Sequence, residues 1–385
     1  MSTDYSVSLI PTKEENNRGT LADFDVAMTR RALQLAVSGI GLVSPNPLVG
    51  CVIVAGDGTV VGEGAYNYDE IHHAEIIALR EAGDKAKGGT AYVSLEPHSH
   101  QGRTPPCTAA LINAGIVRVV APIEDPNPLV AGRGFDQLRE NGVEIVIGVL
   151  ADEARQLNEK FFVWHEKGRP FVHLKLAMSL DGRISLSNSV STAISNPEAI
   201  RRVHEIRHEY DAILVGGNTA LVDDPMLTDR SGLQRRRPLT RVILDNRMRL
   251  PLDSRLVRTA PEIPTFLFTA GDDSAKRRTL IDAGLEVPEI DARRLSDVLE
   301  HLRDRQIQSV LVEGGTEVAG AFLDARLVDK ITLMVAPLII GGKDASVAVG
   351  GAGVRTIAAA PRLRDLAISN FGGDLEITGY PAFPE

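Results

Sequence analysis

Three side chains that bind transition metals stand near one acid, and this arrangement constrains the fold more than any other feature. The tripeptide HAE supplies His73 and Glu75, and the segment LEPHSHQGRTPPC at 95–107 supplies His98 and Cys107. Zinc takes about four N, S or O ligands in proteins, and catalytic zinc keeps one position for water. His73, His98, Cys107 and a water would complete that shell and leave Glu75 beside it. The chain must therefore bring two separate segments to one point.

Both segments lead into short predicted helices, at Ala74–Ala82 and Pro106–Ala114, each followed by a glycine. Helix N-termini carry partial positive charge, which favours thiolate and carboxylate over their protonated forms. The order H-x-E, a ligand after proline and then a cysteine is typical of zinc nucleobase deaminases, in which the glutamate moves protons. The sequence therefore predicts a metal site where two helix starts meet.

His98 departs from this pattern, which usually has cysteine after the proline. One alternative is that the metal site is lost and His98 is a polar filler. Imidazole is nevertheless a competent zinc ligand, and mixed His and Cys shells are common. A decayed site would also be expected to lack Glu75 or Cys107, and both are present. We therefore expect a functional site, with one negative charge fewer than a two-thiolate shell.

Length and composition place the chain among two-domain globular proteins. Its 385 residues suit two cores, and the net charge of −9 argues against a surface that coats nucleic acid. With two cysteines, Cys51 and Cys107, a disulfide framework is excluded in practice, and a reducing compartment fits. No apolar run approaches the roughly 20 residues of a membrane helix. We therefore expect a cytoplasmic protein without nucleic-acid or membrane partners.

Hydrophobic periodicity divides the chain into a tail at 1–22, a first domain at 23–148, a connector at 149–170 and a second domain at 171–385. In the first domain, Asp57-Gly58 predicts a hairpin between strands at 49–54 and 60–64, and DPNPLVAGRG at 125–134 is expected to be a loop. In the second, predicted strands at 171–178, 212–215, 241–244, 265–268 and 309–312 alternate with helices. Such alternation predicts a largely parallel sheet covered by helices.

Two glycine pairs in the second domain follow predicted strands. Gly314-Gly315 precedes a predicted helix, and Gly216-Gly217 opens another, with Thr219 and Asp223 nearby. A strand, a glycine pair and a helix N-terminus can hold the phosphates of a nucleotide. The G-x-G-x-x-G fingerprint is absent, so neither turn alone specifies a dinucleotide. Two such turns in one domain favour a nucleotide cofactor.

Several stretches resemble the bifunctional riboflavin-biosynthesis deaminase/reductase family. They are SPNPLVGCVIV, HAEIIALREAG, YVSLEP with SHQGRTPPC, DPNPLVAGRG, LKLAMSLDGRI, VDDPMLT, RVILD and VEGGTEVAG. The resemblance implies a cytidine-deaminase-like α/β/α domain followed by a dihydrofolate-reductase-like α/β domain. It implies zinc-dependent deamination of a diaminopyrimidine carrying a phosphoribosylamino group, and NADPH-dependent reduction of its ribosyl group to ribityl.

The resemblance also assigns roles in the first domain. Glu75 would be the catalytic proton shuttle, and His73, His98 and Cys107 the zinc ligands. Asn46, His100 and Arg103 match positions that hold the ring or the ribose phosphate of the substrate. Alternatively, these last three residues are ordinary polar loop residues without a role in binding.

In the second domain the resemblance implies two groups of residues. The NADPH site would contain Ala177, Ala193, Thr219, Asp223, Gly315, Thr316, Glu317, Val318, Ala319, Gly320 and Ala321. Many members have tryptophan where Ala193 stands, so packing against the cofactor must differ there. The reductase substrate would meet Lys175, Ser191, Arg207, Leu227, Arg230 and Glu313, with the two arginines on phosphate.

Two other functions remain open from the sequence. The chain could be a reductase whose deaminase domain is silenced by His98. Alternatively, the first half could be a structural zinc module that binds a partner, although Glu75 and the acidic charge speak against it. Family members commonly form homo-oligomers, and we expect one here.

Overall fold

The computed structural model describes residues 21–69, 72–101, 105–187 and 189–384. They form two compact units, and the boundary lies between Glu166 and Lys167. Each unit mixes helices with a sheet, which confirms the predicted α/β class. The predicted tail lies outside the described residues except for Leu21 and Ala22, which begin the first helix. In the described part of the chain, no helix is long and apolar enough to span a membrane.

The first unit is a five-stranded sheet with helices. Its elements are α1 Leu21–Val37, β1 Gly50–Val54, β2 Val60–Ala65, α2 Ala74–Ala82, β3 Thr90–Val93, α3 Cys107–Asn113, β4 Arg118–Ala121, α4 Arg133–Glu140, β5 Glu144–Ile147, α5 Ala151–Leu157 and α6 Glu159–Glu166. The strand order is β2-β1-β3-β4-β5. β1 runs antiparallel to β2 and β3, whereas β3, β4 and β5 are parallel. The predicted β1–β2 hairpin is confirmed, and Gly58 adopts the positive φ of 87° that its turn requires.

Helix α2 contacts the backbone of β2 directly. A Cβ atom added at Gly62 would lie 2.1 Å from the carbonyl oxygen of Ala78, and one at Gly64 would lie 2.3 Å from that of Ala74. Neither position therefore has room for a side chain. The alanines of α2 also pack into the core together with Leu111 of α3. The first turn of α2 is thus held at a set distance from the sheet.

A buried ion pair holds α1 against the sheet. Asp25 accepts hydrogen bonds from both terminal nitrogens of Arg118 at 2.8 and 2.7 Å, and from the Tyr92 hydroxyl at 2.8 Å. The bond from Arg118 lowers the pKa of Asp25 although burial opposes that shift. Residues from α1, β3 and β4 therefore form one polar network.

The second unit is built on an eight-stranded sheet. Its elements are β6 Phe171–Ser179, β7 Arg183–Ser185, α7 Pro197–His208, β8 Ala212–Gly216, α8 Gly217–Asp223, β9 Thr240–Leu244, α9 Arg255–Arg258, β10 Thr265–Phe268, α10 Ser274–Asp282, α11 Leu295–Asp304, β11 Ser309–Val312, α12 Thr316–Asp324, β12 Lys330–Ala336, β13 Ser346–Val347, β14 Arg362–Phe371 and β15 Asp374–Ala382. Asn196 caps α7 by accepting from the amides of Glu198 and Ala199, and Pro197 occupies its first turn.

The sheet order β10-β9-β8-β11-β6-β12-β15-β14 separates a parallel part from an antiparallel part. The strands from β10 to β12 are parallel, as predicted. β15 and β14 then run antiparallel at one edge. Because β9, β8 and β11 are adjacent and parallel, their carboxyl ends open on the same crevice, where ligands of such sheets commonly bind.

Candidate active sites

The predicted metal ligands converge in the first unit. The ligand atoms of His73, His98 and Cys107 all lie within 4.8 Å of one another. In a tetrahedral zinc shell, bond lengths of 2.0–2.3 Å place ligand atoms about 3.5 Å apart. His73 is the N-cap of α2 and Cys107 is the first residue of α3, so two helix starts meet as predicted. The donor set and its spacing fit zinc.

The surroundings shift the pKa values of His98 and Cys107 in opposite directions. Burial, reinforced by His73 and His100, lowers the pKa of His98 to about 4, so its imidazole is neutral at pH 7. Burial also raises the pKa of the Cys107 thiol well above its usual value, and the neighbouring Glu75 carboxylate adds to this effect. Without a cation Cys107 is therefore a thiol, and it needs a metal to become the thiolate that zinc binds.

Glu75 lies in the first turn of α2 and is only 3% exposed. Its Oε2 atom is buried and has no hydrogen-bond partner among the described residues. A buried carboxylate oxygen without a donor is costly in a folded protein. Its position near the ligand atoms provides an acceptor for a proton of a bound water or substrate.

Of the residues predicted to hold the deaminase substrate, two are near this cluster. The Asn46 amide donates to the Tyr66 hydroxyl at 2.6 Å, and the Tyr66 ring lies edge-on to His73 with centroids 5.2 Å apart. His100 is exposed, and its ring centroid is 5.3 Å from that of His98. Arg103 lies outside the described residues. Tyr66 was not predicted, although its place directly after β2 and shortly before HHAE was a usable signal.

Glu96 organises the loop beside His98 and was also not predicted. Its carboxylate accepts from the backbone amides of Asp125 at 3.1 Å, Gly132 at 2.9 Å and Gly134 at 2.8 Å. The side chain is 4% exposed, so these amides replace its water shell. The segment 125–134, predicted as a loop, is thereby tied to the metal motif. An acid inside an otherwise buried motif was the sequence signal for this role.

The second unit contains a cleft of about 1300 Å³ at the carboxyl ends of β8, β9 and β11. Eight of the predicted site residues line it: Ser191, Thr219, Asp223, Gly315, Thr316, Glu317, Val318 and Ala321. α12 begins after Gly315 without a side-chain cap, so its first amides are available to phosphate. The cleft and this helix start fit a dinucleotide.

The remaining residues predicted for the NADPH site lie elsewhere. Ala177 and Ala193 are not among the residues that line the cleft. Ala319 is fully buried in the core, and a Cβ atom at Gly320 would lie 2.4 Å from the backbone of Gly350. Ala319 and Gly320 therefore support α12 from inside the protein and present no side chain to the cleft.

A charged cluster links three residues predicted to meet the reductase substrate. Arg207 donates to Glu313 through Nε at 2.7 Å and Nη2 at 2.9 Å, and Lys175 Nζ lies 3.7 Å from the same carboxylate. Burial alone would raise the pKa of Glu313, but Arg207 and Lys175 outweigh burial and lower it to about 2. Burial lowers the pKa of Lys175, which Glu313 partly opposes. The cluster is an ionised group of fixed geometry.

The two arginines predicted to bind phosphate differ in availability. Arg207 also donates to the carbonyl oxygen of Thr228 at 3.0 Å, so its guanidinium is engaged on both sides. Arg230 is exposed, and its backbone amide donates to His204 at 3.3 Å. Leu227 is 4% exposed and packs into the core. Arg230 is therefore the freer cation of the pair.

Comparison with known proteins agrees with the assignment of both domains. The family model described as the RibD C-terminal domain matches residues 170–377, and the cytidine and deoxycytidylate deaminase zinc-binding region matches residues 23–122. The riboflavin biosynthesis protein RibD of Actinobacillus pleuropneumoniae is 41% identical over 94% of this chain and 96% of its own length. The chain belongs to the RibD family.

Solved RibD structures share the fold of each unit. Acinetobacter baumannii RibD superposes with a TM-score of 0.85 at 36% identity, covering 94% of this chain and 99% of its own. The Thermotoga maritima deaminase/reductase gives a TM-score of 0.81 at 34% identity over 94% and 99%. The chain thus contains the deaminase and reductase domains of the RibD family, and the implied fold of each is confirmed.

His98 remains the notable departure within the RibD family pattern. Its ring centroid is 4.4 Å from that of His73, and its carbonyl oxygen accepts from the Thr108 amide at 3.3 Å. The backbone of His98 is thus tied to the first turn of α3, next to Cys107. His98 therefore lies where it could bind a metal together with His73 and Cys107, and a silenced deaminase domain is not favoured.

Proposed function

We propose that this protein catalyses two consecutive steps of riboflavin biosynthesis. The first is hydrolytic deamination of 2,5-diamino-6-(5-phosphoribosylamino)pyrimidin-4(3H)-one. The second is NADPH-dependent reduction of the ribosyl group, which yields 5-amino-6-(5-phosphoribitylamino)uracil. The observation that carries the proposal is the buried Glu75 oxygen, which has no hydrogen-bond partner in the described part of the chain. It lies beside three converging side chains that could bind a metal, in one chain with a dinucleotide-sized cleft.

In the first site, different residues would bind the metal, transfer the proton and hold the substrate. His73, His98 and Cys107 would hold zinc, which when bound supplies a Lewis acid that makes water acidic at neutral pH. Glu75 accepts a proton from the attacking water and passes it to the departing amino group, which leaves as ammonia. Asn46, which donates a hydrogen bond to Tyr66, would orient the pyrimidine ring, and His100 and Arg103 would bind the ribose phosphate.

The second site would bind NADPH along the cleft, with its phosphates at the start of α12. When bound, NADPH would supply the hydride that reduces C1 of the opened ribose. Lys175, which lies beside the ionised Glu313, would donate a proton to the group that is reduced. Arg230 would bind the phosphate of the substrate, while Arg207 and Glu313 hold each other in position.

The test compares the wild type with His98→Ala in ammonia release, NADPH oxidation and zinc content. We expect the wild type to carry one zinc, release ammonia and oxidise NADPH with the deaminated product. His98→Ala should lose zinc and ammonia release but keep NADPH oxidation. A wild type that binds no zinc and releases no ammonia would leave the chain a reductase only.

We further infer that the protein is cytoplasmic and forms a homo-oligomer. Both cysteines are free and buried, which suits a reducing compartment. β14 is an edge strand that exposes 58% of Leu366 and 66% of Ile368. An exposed apolar edge strand favours pairing with a second copy. Light scattering of the full chain beside Ile368→Lys tests this, and a monomeric wild type would contradict it.

A further inference from the structure

The strand order indicates which end of the cleft would hold each half of a bound dinucleotide. Glu313 directly follows β11 and Lys175 lies in β6, so the reducing end of a bound dinucleotide belongs near these two adjacent strands. The start of α12 lies just beyond β11, where phosphates bind. In the sheet order, β8 and then β9 continue away from β6. The adenosine half of the dinucleotide therefore lies over the carboxyl ends of β8 and β9.

Asp245, the acid that follows β9, lines the cleft, but its carboxylate is already engaged by the Leu250 amide and by Arg249, whose Nε lies 3.7 Å from it. In doubly wound folds, an acid at such a position binds ribose hydroxyls and selects NAD, whereas an arginine accommodates the 2′-phosphate of NADP. Asp245 is 2% exposed, and its Oδ2 accepts from the Leu250 amide at 2.8 Å. A Cβ atom on Gly217 would lie 2.7 Å from Oδ1 of the same carboxylate. Asp245 thus stabilises the turn after β9 and is not available to bind ribose hydroxyls.

Arginines, in contrast, border this end of the cleft. Arg247 is exposed, and no ion pair or hydrogen bond of its side chain occurs within the described ranges. Arg293 comes from the segment before α11 and donates through Nε to Asp291 at 3.0 Å, with 73% of its side chain exposed. Asp291 also hydrogen-bonds to the side chain of Asn246, next to Arg247. This contact joins the two loops that carry Arg247 and Arg293.

We propose that Arg247 and Arg293 select NADPH over NADH by binding the 2′-phosphate of the adenosine ribose. The proposal rests on the reductase function proposed above and adds its cofactor specificity. A guanidinium can form two parallel hydrogen bonds to phosphate oxygens. Arg247 can offer this fork, whereas Arg293 uses Nε and Nη2 on Asp291 and would add the charge and the remaining nitrogen of its exposed guanidinium. NADH lacks the phosphate, so it gains nothing from either residue.

A binding experiment tests the assignment without turnover. Isothermal titration calorimetry of the full chain compares adenosine 2′,5′-bisphosphate with adenosine 5′-monophosphate. We expect the wild type to prefer the bisphosphate, and Arg247→Ala/Arg293→Ala to lose about tenfold or more of that preference. Arg278→Ala on α10 is the matched control, since it removes an arginine that is 80% exposed away from the cleft. An equal preference in the wild type and the double variant overturns the proposal.

Kinetics separates this proposal from the one on which it rests. In the double variant, KM for NADPH should rise while kcat and the KM for NADH stay unchanged. A wild type that oxidises neither cofactor contradicts the reductase function, whereas loss of bisphosphate preference in the variant would still support the arginine site. A wild type that oxidises NADPH with the same preference over NADH as the double variant contradicts the arginine site alone.

Discussion

The two candidate sites of this chain differ in how they are built. The deaminase site takes His73, His98 and Cys107 from a span of 35 residues, at the starts of two short helices around a buried acid. The reductase site takes Lys175, Arg207 and Glu313 from strands and a helix spread over 139 residues, beside an open cleft. The first is a compact cluster of neutral and acidic ligand groups. The second pairs one carboxylate with two cations.

The largest expected effect concerns the metal ligands of the first unit. Cys107→Ala should remove zinc and reduce ammonia release below detection, because one of three ligands is lost. The reductase should be unaffected, since its cluster lies in the other unit. Cys51→Ala is the matched control: Cys51 is also a fully buried cysteine but is not in the ligand cluster. Zinc per chain and both activities are measured. Equal loss of zinc in the two variants would contradict the assignment of Cys107 as a ligand.

The next effect separates metal binding from proton transfer. Glu75→Gln should keep zinc yet lower deamination by roughly 10² to 10⁴, the usual contribution of a general acid-base residue. NADPH oxidation should not change. Glu140→Gln, an exposed position on α4, serves as the control. If Glu75→Gln loses zinc to the same extent as activity, Glu75 is a ligand rather than a proton carrier.

A third change removes the negative charge from the cluster of Lys175, Arg207 and Glu313. Glu313→Gln leaves Arg207 and Lys175 buried without their counter-charge, which should lower the free energy of unfolding of the second unit by about 3 kcal/mol at pH 7. Because the folded pKa of Glu313 is about 2, below its ordinary 4.5, this stabilisation is complete above pH 4.5 and is lost as pH falls toward 2. Denaturation at pH 7 and pH 3, beside Glu300→Gln, measures it. A difference that does not shrink at pH 3 would contradict the assignment.

The smallest expected effect concerns Asp125, which should make the first unit less stable as pH rises, opposite to the effect of Glu313 on the second unit. Burial, with Glu96 nearby, raises the pKa of Asp125 to about 7, although the Asn127 amide opposes the shift. The folded first unit then holds a proton that the unfolded chain releases, so its free energy of unfolding falls between pH 4 and pH 7. Asp125→Asn should flatten this fall, on the order of 2 kcal/mol. Denaturant titrations across this range check it, with exposed Asp136→Asn as control. Identical slopes in all three proteins would be inconsistent with a protonated Asp125.

Local signals in the sequence were enough for several elements. α2 was predicted with the bounds it has, because Gly83 ends it. Such a signal acts within one helical turn, where propensity and capping operate. The convergence of the metal ligands was predicted from their chemistry and from the two helix starts into which their segments lead.

Features that depend on distant partners were not predicted. α4 was missed because its start is tied down by Glu96, some 37 residues away, and not by a local cap. β12, β14 and β15 were missed because their register comes from pairing with β6 and with one another. β14 is exposed along most of its length, so it has no alternating pattern to detect. The Asp25–Arg118 pair likewise joins residues 93 positions apart.

The close approach of α2 to β2 extends the mutational footprint of the deaminase site beyond its chemistry. Gly62 and Gly64 contribute no atom to metal or substrate, yet any side chain there would displace the helix that carries Glu75 and orients His73. In a saturation screen scored on deamination, we expect both glycines to tolerate substitution as poorly as the ligands themselves. The spectrum of neutral mutations in β2 is therefore limited by helix placement rather than by contact with the reaction.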